Sequence, residues 1–219
     1  MITVHHLDNS RSQRVLWLLE ELDLPYDIKH YKRDRKTMLA PPELRQVHPL
    51  GKSPVVTDGP RTLAESGAVL EYLVGAHGKG RLVPKTEEDR LRYTYWMHFA
   101  EGTAMSPLLL KLIFDRVRKA PLLVRPVANA IANQVMGNFV QPNIDRQLAY
   151  IESELAARAW FAGPEFTAAD IQMSFPLEVS ASRVGVDKYP HIVAFLKRIH
   201  ERPAYQRALA KGGPYQIGA

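Results

Sequence analysis

Two short stretches carry residue types and spacings that could do chemistry. The first is His48-Pro49-Leu50-Gly51-Lys52-Ser53-Pro54-Val55-Val56, followed nine residues later by Glu65-Ser66. A proline entering a strand can follow a cis bond, which turns the neighbouring main-chain groups out of the ladder and exposes them. Ser66 falls at the start of a predicted helix, where serine is a good N-cap and the free N–H groups of the first turn attract a carboxylate. An ordinary cap does not require an acid such as Glu65 immediately before it. Convergent main-chain donors and acceptors beside a helix start could hold a small extended peptide and its terminal carboxylate. The second stretch is Asn9-Ser10-Arg11-Ser12, where a hydroxyl at the head of a helix can donate one hydrogen bond to an anion.

The elements that must position these residues follow from periodicity. Ile2-Thr3-Val4-His5-His6 alternates and predicts a strand, and the apolar positions Val15, Leu16, Leu18, Leu19 and Leu22 predict a helix with one buried face. Pro25 stops that helix, and Tyr26-Asp27-Ile28 reads as a second strand. A short helix over 41–47 starts on proline. Val55-Val56-Thr57 and Arg61-Thr62-Leu63 flank the hairpin signal Asp58-Gly59, and a helix runs from Glu65 to about Ala76. Residues 1–80 therefore read β-α-β and then α-β-β-α. After the glycine-rich break at 75–80 and a linker at Leu82-Val83-Pro84, strand signals vanish. Thr86-Glu87-Glu88-Asp89 resembles a capping box with Asp in the Glu position. It opens a long helix through about Phe114, which Pro107 should kink or divide. A second helical stretch over 122–158 is interrupted near Pro142. A third begins at Thr167-Ala168-Ala169-Asp170, another box. Pro190, Pro203 and Pro214 punctuate the remainder, and 87–219 reads as an all-α domain.

Composition bounds the class. With 219 residues, 46% of them hydrophobic, the chain can bury a full core or two modest ones. No run of about 18 apolar residues predicts a membrane span. The N-terminus lacks the basic and apolar regions of a secretory signal, so a cytoplasmic location is expected. There are no cysteines, which removes disulfides, thiolate metal sites and a protein-borne thiol nucleophile. Any sulfur chemistry must bring its sulfur on the ligand, and no metal is expected. The net charge of +6 concentrates at Lys29-His30-Tyr31-Lys32-Arg33-Asp34-Arg35-Lys36 and at Arg116, Arg118 and Lys119. This is either a solvated face or a rim that attracts small anions. Neither zinc-ligand spacing nor an aromatic RNA-binding motif accompanies it, so no nucleic-acid partner is expected.

The Pro-Leu-Gly-Lys-Ser-Pro-Val-Val segment with Leu-Ala-Glu-Ser downstream, the box at 167–170 and the opening Ser10-Arg11-Ser12-Gln13-Arg14 resemble cytosolic glutathione transferases, the serine-type bacterial and fungal members most of all. The resemblance spans essentially the whole chain. It implies a thioredoxin-like N-terminal α/β domain that binds glutathione and an all-α C-terminal domain that contributes an electrophile pocket. Two departures stand out: His48 replaces the Asn common before Pro-x-Gly, and neither Tyr nor Cys occupies the activating turn. The resemblance implies that Val55, after Pro54, bonds the cysteinyl main chain of glutathione. Ser66 takes the γ-glutamyl carboxylate and Glu65 the ammonium group. Ser10 lies at the spacing of the serine-type motif and would face the thiolate, with Ser12 and Asn9 as neighbours of the same capability. Lys52 and His48 could reach the glycyl carboxylate. Tyr95, Phe99, Met105, Leu109 and Phe114 lie on the helix where the family places its electrophile pocket, and Glu101 and Arg116 could add polar contacts there. A stripe of this kind also suits a core.

The activity implied is conjugation of glutathione, as co-substrate, to hydrophobic electrophiles, a detoxifying chemistry. One alternative on the same thiolate site is glutathione-dependent reduction of disulfides or peroxides. Another is a non-catalytic interaction module on the same fold, which could have discarded Pro54, Glu65 and Ser66. The family is generally dimeric, so a homodimer is expected, with no membrane partner.

Overall fold

The computed structural model describes residues 1–34, 37–213, 215 and 217. Arg35 and Lys36 of the basic run, and Pro214, lie outside the described residues. The first half contains β1 (Ile2–Leu7), α1 (Ser12–Glu21), β2 (Tyr26–Tyr31), α2 (Glu43–Val47), β3 (Val55–Asp58), β4 (Arg61–Ala64) and α3 (Ser66–His77). The sheet order is β2-β1-β3-β4. β1 runs parallel to β2, with α1 as the crossover such a pair needs, and antiparallel to β3, which in turn pairs antiparallel with β4. The β3–β4 hairpin closes over Gly59-Pro60, one residue beyond the expected pair. Asp58 and Arg61 face each other, and Gly59 has φ 57, a left-handed conformation that glycine adopts without a Cβ penalty.

α1 departs from the one-faced helix that its periodicity predicts. All its residues from Ser12 to Glu20 are buried, polar ones included. The cause is tertiary. The sheet lies on one side of it, and helices of the second half pack along the other.

Among the described residues the second half is helical throughout: α4 (Glu87–Phe99), α5 (Met105–Val117), α6 (Arg125–Val135), α7 (Gln141–Ala157), α8 (Ala168–Arg183), α9 (Pro190–His200) and α10 (Pro203–Gly212). Thr86 starts α4 by accepting the Asp89 N–H at 3.1 Å and donating its hydroxyl to the Asp89 carboxylate at 2.8 Å. At 167–170 the box forms. Asp170 is fully buried and accepts from the Thr167 N–H at 2.8 Å, the Thr167 hydroxyl at 3.1 Å and the Phe161 N–H at 2.8 Å. Burial pushes its carboxyl up to about 7, and these hydrogen bonds pull the other way.

Neither Pro107 nor Pro142 breaks its helix. Each is preceded by one π-helical turn, Ala100–Ala104 and Met136–Val140 respectively. A helical proline lacks an N–H and collides with the carbonyl four residues back. A wider turn just upstream moves that carbonyl away. The interruption therefore falls one turn before the proline.

One apolar core runs through both halves and holds Trp17 and Leu70 together with Trp96, Phe161 and Phe195. α10 returns from the far end of the chain to lie along α1, with Tyr205 edge-on to Trp17 at 5.1 Å between ring centres.

Candidate active site

A cavity of about 320 Å³ opens where the N-terminal end of β3 meets the π turn of the helical half, within the usual range for small-ligand sites. His48, Leu50 and Lys52 form one rim, Ser53 and Pro54 line the base, and Ala64, Glu65 and Ser66 close one end. Glu101 and Leu109 face them from the helical half, with Arg11 between. A larger hollow of about 720 Å³ lies over Glu87, Arg90 and Leu91, but a single helix face forms it. Most of the first sequence stretch thus converges in one place with Glu65 and Ser66, and the second stretch contributes Arg11 to the wall.

The Ser53–Pro54 bond is cis. Glu65 takes φ 70, left-handed backbone that is uncommon outside glycine. The chain then enters α3 at Ser66, a buried residue, so the first-turn N–H groups of a twelve-residue helix border the cavity. Val55 is placed differently from the expectation. It is fully buried and paired with His5 on one side and Ala64 on the other, and it is absent from the cavity wall. Strand pairing occupies the residue after the proline, and Ser53, before it, faces the cavity instead.

Behind Ser53 runs a chain of hydroxyls. Ser53 Oγ lies 3.3 Å from Ser10 Oγ, Ser10 Oγ 2.7 Å from Ser12 Oγ, and Ser12 Oγ 2.9 Å from His6 Nδ1. The Ser12 N–H donates to Ser10 Oγ at 3.2 Å, and the Leu7 N–H donates to Ser12 Oγ at 3.3 Å. Ser53 Oγ also donates to the His5 carbonyl at 3.2 Å. Ser12 is fully buried and Ser10 nearly so; of the three serines Ser53 lines the cavity, with Ser10 directly behind it and Ser12 deeper still. Burial, then the neighbouring His30, pulls His6 down to about 4, so its ring is neutral at physiological pH. Asn9 has φ 51 and is exposed; its carbonyl accepts from Arg33 at 3.2 Å, and it is not part of the cavity wall.

The far wall differs most from expectation. Phe99 and Met105 are buried, and Tyr95 packs on Phe99 and Tyr150. None of the three lines the cavity. They belong to an aromatic cluster around Trp96 and to the core, the other outcome that such a stripe allows. Of the stripe, Leu109 alone among the lining residues reaches the cavity; Arg116 does not. Glu101 is held there from within the π turn. Arg11 Nε donates to both of its oxygens at 3.0 Å, and Arg14 Nη2 donates at 2.5 Å. Burial would raise the Glu101 carboxyl, but the Arg14 and Arg11 guanidinium groups outweigh it and hold the group below the ordinary carboxylate range. Arg14 is itself buried, donates to the Gln172 carbonyl at 2.7 Å, and so ties α1 to α8. Sequence reasoning missed Arg11 and Ser53 as site residues although both lie inside the motifs. Glu101, expected as a polar contact beside the aromatic stripe, is the one polar residue of that reading that lines the cavity.

Among the described residues one group has metal-ligand chemistry: atoms of His6, Asp8 and His30 lie within 4.8 Å of one another. None of these residues lines the cavity.

A four-stranded sheet of this order, its cis-proline and helix start facing an α-helical second half, defines a thioredoxin-like domain joined to an all-helical one. The model of the glutathione S-transferase N-terminal domain matches residues 1–75, and that of the C-terminal domain matches 136–203. The chain is 38% identical to glutathione S-transferase 3 of Schizosaccharomyces pombe, over 96% of this chain and 88% of that one. It is 31% identical to glutathione S-transferase 1 of Saccharomyces cerevisiae, over 96% and 95%. The crystal structure of a glutathione S-transferase from Actinobacillus pleuropneumoniae superposes with a TM-score of 0.80 at 33% identity, covering 97% of this chain and 93% of that one. The chain belongs to the glutathione S-transferase family.

Proposed function

We propose that this chain binds glutathione in the cavity at Ser53-Pro54 and Glu65-Ser66 and joins it through its sulfur to hydrophobic electrophiles, with Ser10 holding the thiolate. In this scheme Ser66 and the first-turn N–H groups of α3 take the γ-glutamyl carboxylate, and Glu65 takes the ammonium group. Lys52 and His48 take the glycyl carboxylate. The main chain at Ser53, in place of Val55, receives the cysteinyl unit. The thiol loses its proton to solvent, and the sulfur pair forms a bond to the electrophilic carbon as a leaving group departs with its own pair or a double bond accepts electrons. Leu50 and Leu109 give the electrophile an apolar wall without a sharp shape, which suits a broad range of substrates.

The observation that carries this reading is Ser10 Oγ, 3.3 Å from the cavity-lining Ser53 Oγ and at the head of α1. A free thiol of pKa about 8.5 needs roughly 2.7 kcal/mol of preference for the thiolate to titrate two units lower. A hydrogen bond to a charged group supplies about 1.5–3 kcal/mol, and a helix N-terminus adds about 0.3–1 kcal/mol. Together they give about 1.8–4 kcal/mol, a range that brackets the requirement without a general base.

Ser10→Ala is expected to lower turnover about tenfold or more, since the lost bond is worth over 1.4 kcal/mol, with calorimetric affinity for glutathione nearly intact. Turnover equal to the parent protein would move the role to Ser53 or to main-chain donors. In this scheme the working form is a homodimer in the cytoplasm, serving detoxification.

A further inference from the structure

We infer that the tip of the α5–α6 hairpin docks onto an anionic lipid surface. The turn between these helices carries Leu122 and Leu123, which are 76% and 97% exposed. The same apolar character continues along α6 through Val127 and Ile131, four residues apart and hence on one face, both more than half exposed. Along α5 it continues through Ile113 and Leu109, also four apart and exposed. α5 and α6 pack against each other, so these residues extend from the turn along both helices of one hairpin. Large apolar side chains this exposed and clustered on two neighbouring helices and their turn point to an interaction site.

Charge selects the occupant. Arg116, Lys119 and Arg125 are exposed around the tip, and no Asp or Glu occurs from 116 to 144. The nearest acid, Asp115, is paired with Lys111 and Arg118, so exposed apolar side chains sit within a rim of net positive charge, which matches a bilayer whose headgroups are anionic and whose interior is apolar. The expectation of no membrane partner rested on the lack of a span, and surface docking needs none. Leu109 joins this face to the cavity, so a docked molecule would hold the cavity's apolar wall beside a reservoir of hydrophobic electrophiles. That consequence rests on the transferase reading; the docking does not.

The test is co-sedimentation of the full-length protein with vesicles of phosphatidylcholine alone and of phosphatidylcholine with phosphatidylglycerol at about 2:1. The parent protein is expected to bind the mixed vesicles and release them as salt rises toward about 1 M, where the Debye length falls to about 3 Å. The double variant Leu122→Glu/Leu123→Glu is expected to lose about tenfold or more in partitioning. Arg116→Gln/Lys119→Gln is expected to lose the preference for the anionic vesicles. Neither pair lines the cavity, so conjugation of a water-soluble electrophile remains at the parent level and shows that the variants fold. Equal binding to both vesicle types, or no binding to either, overturns the proposal. So does a leucine variant that keeps vesicle binding. A fall in sedimentation coefficient for that variant without lipid would assign the face to a second copy and overturn it as well.

Discussion

Ser10 and Ser12 stand two positions apart, yet the structure gives them different work. Ser12 Oγ already meets the Leu7 N–H, Ser10 Oγ and His6 Nδ1 in a fully buried position. Removing it leaves a buried main-chain N–H without its acceptor, which costs about 1–3 kcal/mol. Ser12→Ala should therefore lower the urea midpoint at constant slope, a loss that the Ser10→Ala variant should share only in small part. Both serines were legible as candidates, because hydroxyls at the head of a helix are visible in a sequence. Their ranking depended on which one the fold leaves beside Ser53. Glu101 is a second case. Its carboxylate neutralises Arg11 and the buried Arg14 at the wall of the cavity. Glu101→Gln would leave the Arg14 guanidinium in low dielectric without a countercharge, so a loss of about 3 kcal/mol or more is expected from denaturant unfolding. An unchanged midpoint would mean that Arg11 and Arg14 find another partner.

At the level of the element, caps and breakers were read well, and their mechanical consequences were read less well. The box at 167–170 forms as its residue types predict, but Asp170 also accepts the Phe161 N–H from outside the box. Asp170→Ala should thus exceed the loss of a simple cap, at about 2–4 kcal/mol, because two buried main-chain donors lose their acceptor. Thermal unfolding monitored by circular dichroism would check it, and a loss under about 1 kcal/mol would mean that water replaces the carboxylate. Pro107 and Pro142 announce a disturbance without saying where it falls. The π turn before Pro107 carries Glu101 to the cavity. Its extra residue rotates everything that follows by about 100° relative to an uninterrupted helix. That rotation is one reason a stripe counted at regular spacing from Tyr95 through Met105 misidentifies the wall and finds only Leu109.

Across the whole molecule, the two halves are fastened at their far ends. Glu20 near the end of α1 accepts from Arg207 Nε at 2.7 Å and from Lys211, both on α10, and from the Tyr26 hydroxyl at 2.6 Å. Burial pushes the Glu20 carboxyl up, but the bonds from Lys211, Tyr26 and Arg207 prevail and hold it at about 2. A carboxyl depressed on folding contributes stability that is complete above its unfolded value and is lost as pH falls toward its folded one. The attachment of α10 should therefore weaken between about pH 4.5 and pH 2. Trp17, edge-on to Tyr205 of α10, provides a fluorescence signal for this change. Glu20→Gln should remove the acid transition in that window, and its persistence would assign it to another carboxylate.

What the sequence determined by itself is local. Turn residues, caps, a helix-head serine and a strand-entry proline with an acid-serine pair shortly after the hairpin each carry their backbone preference with them. These were enough to infer the α/β half and the helical half, and to single out Pro54, Glu65 and Ser66, which line the cavity. Contacts between elements distant in the chain could be decided only by tertiary structure. The pairing that withdraws Val55, the π turn that presents Glu101 and the burial of α1 on every side depend on which surfaces meet. Burial and helix phase are properties of that meeting, and no residue expresses them alone.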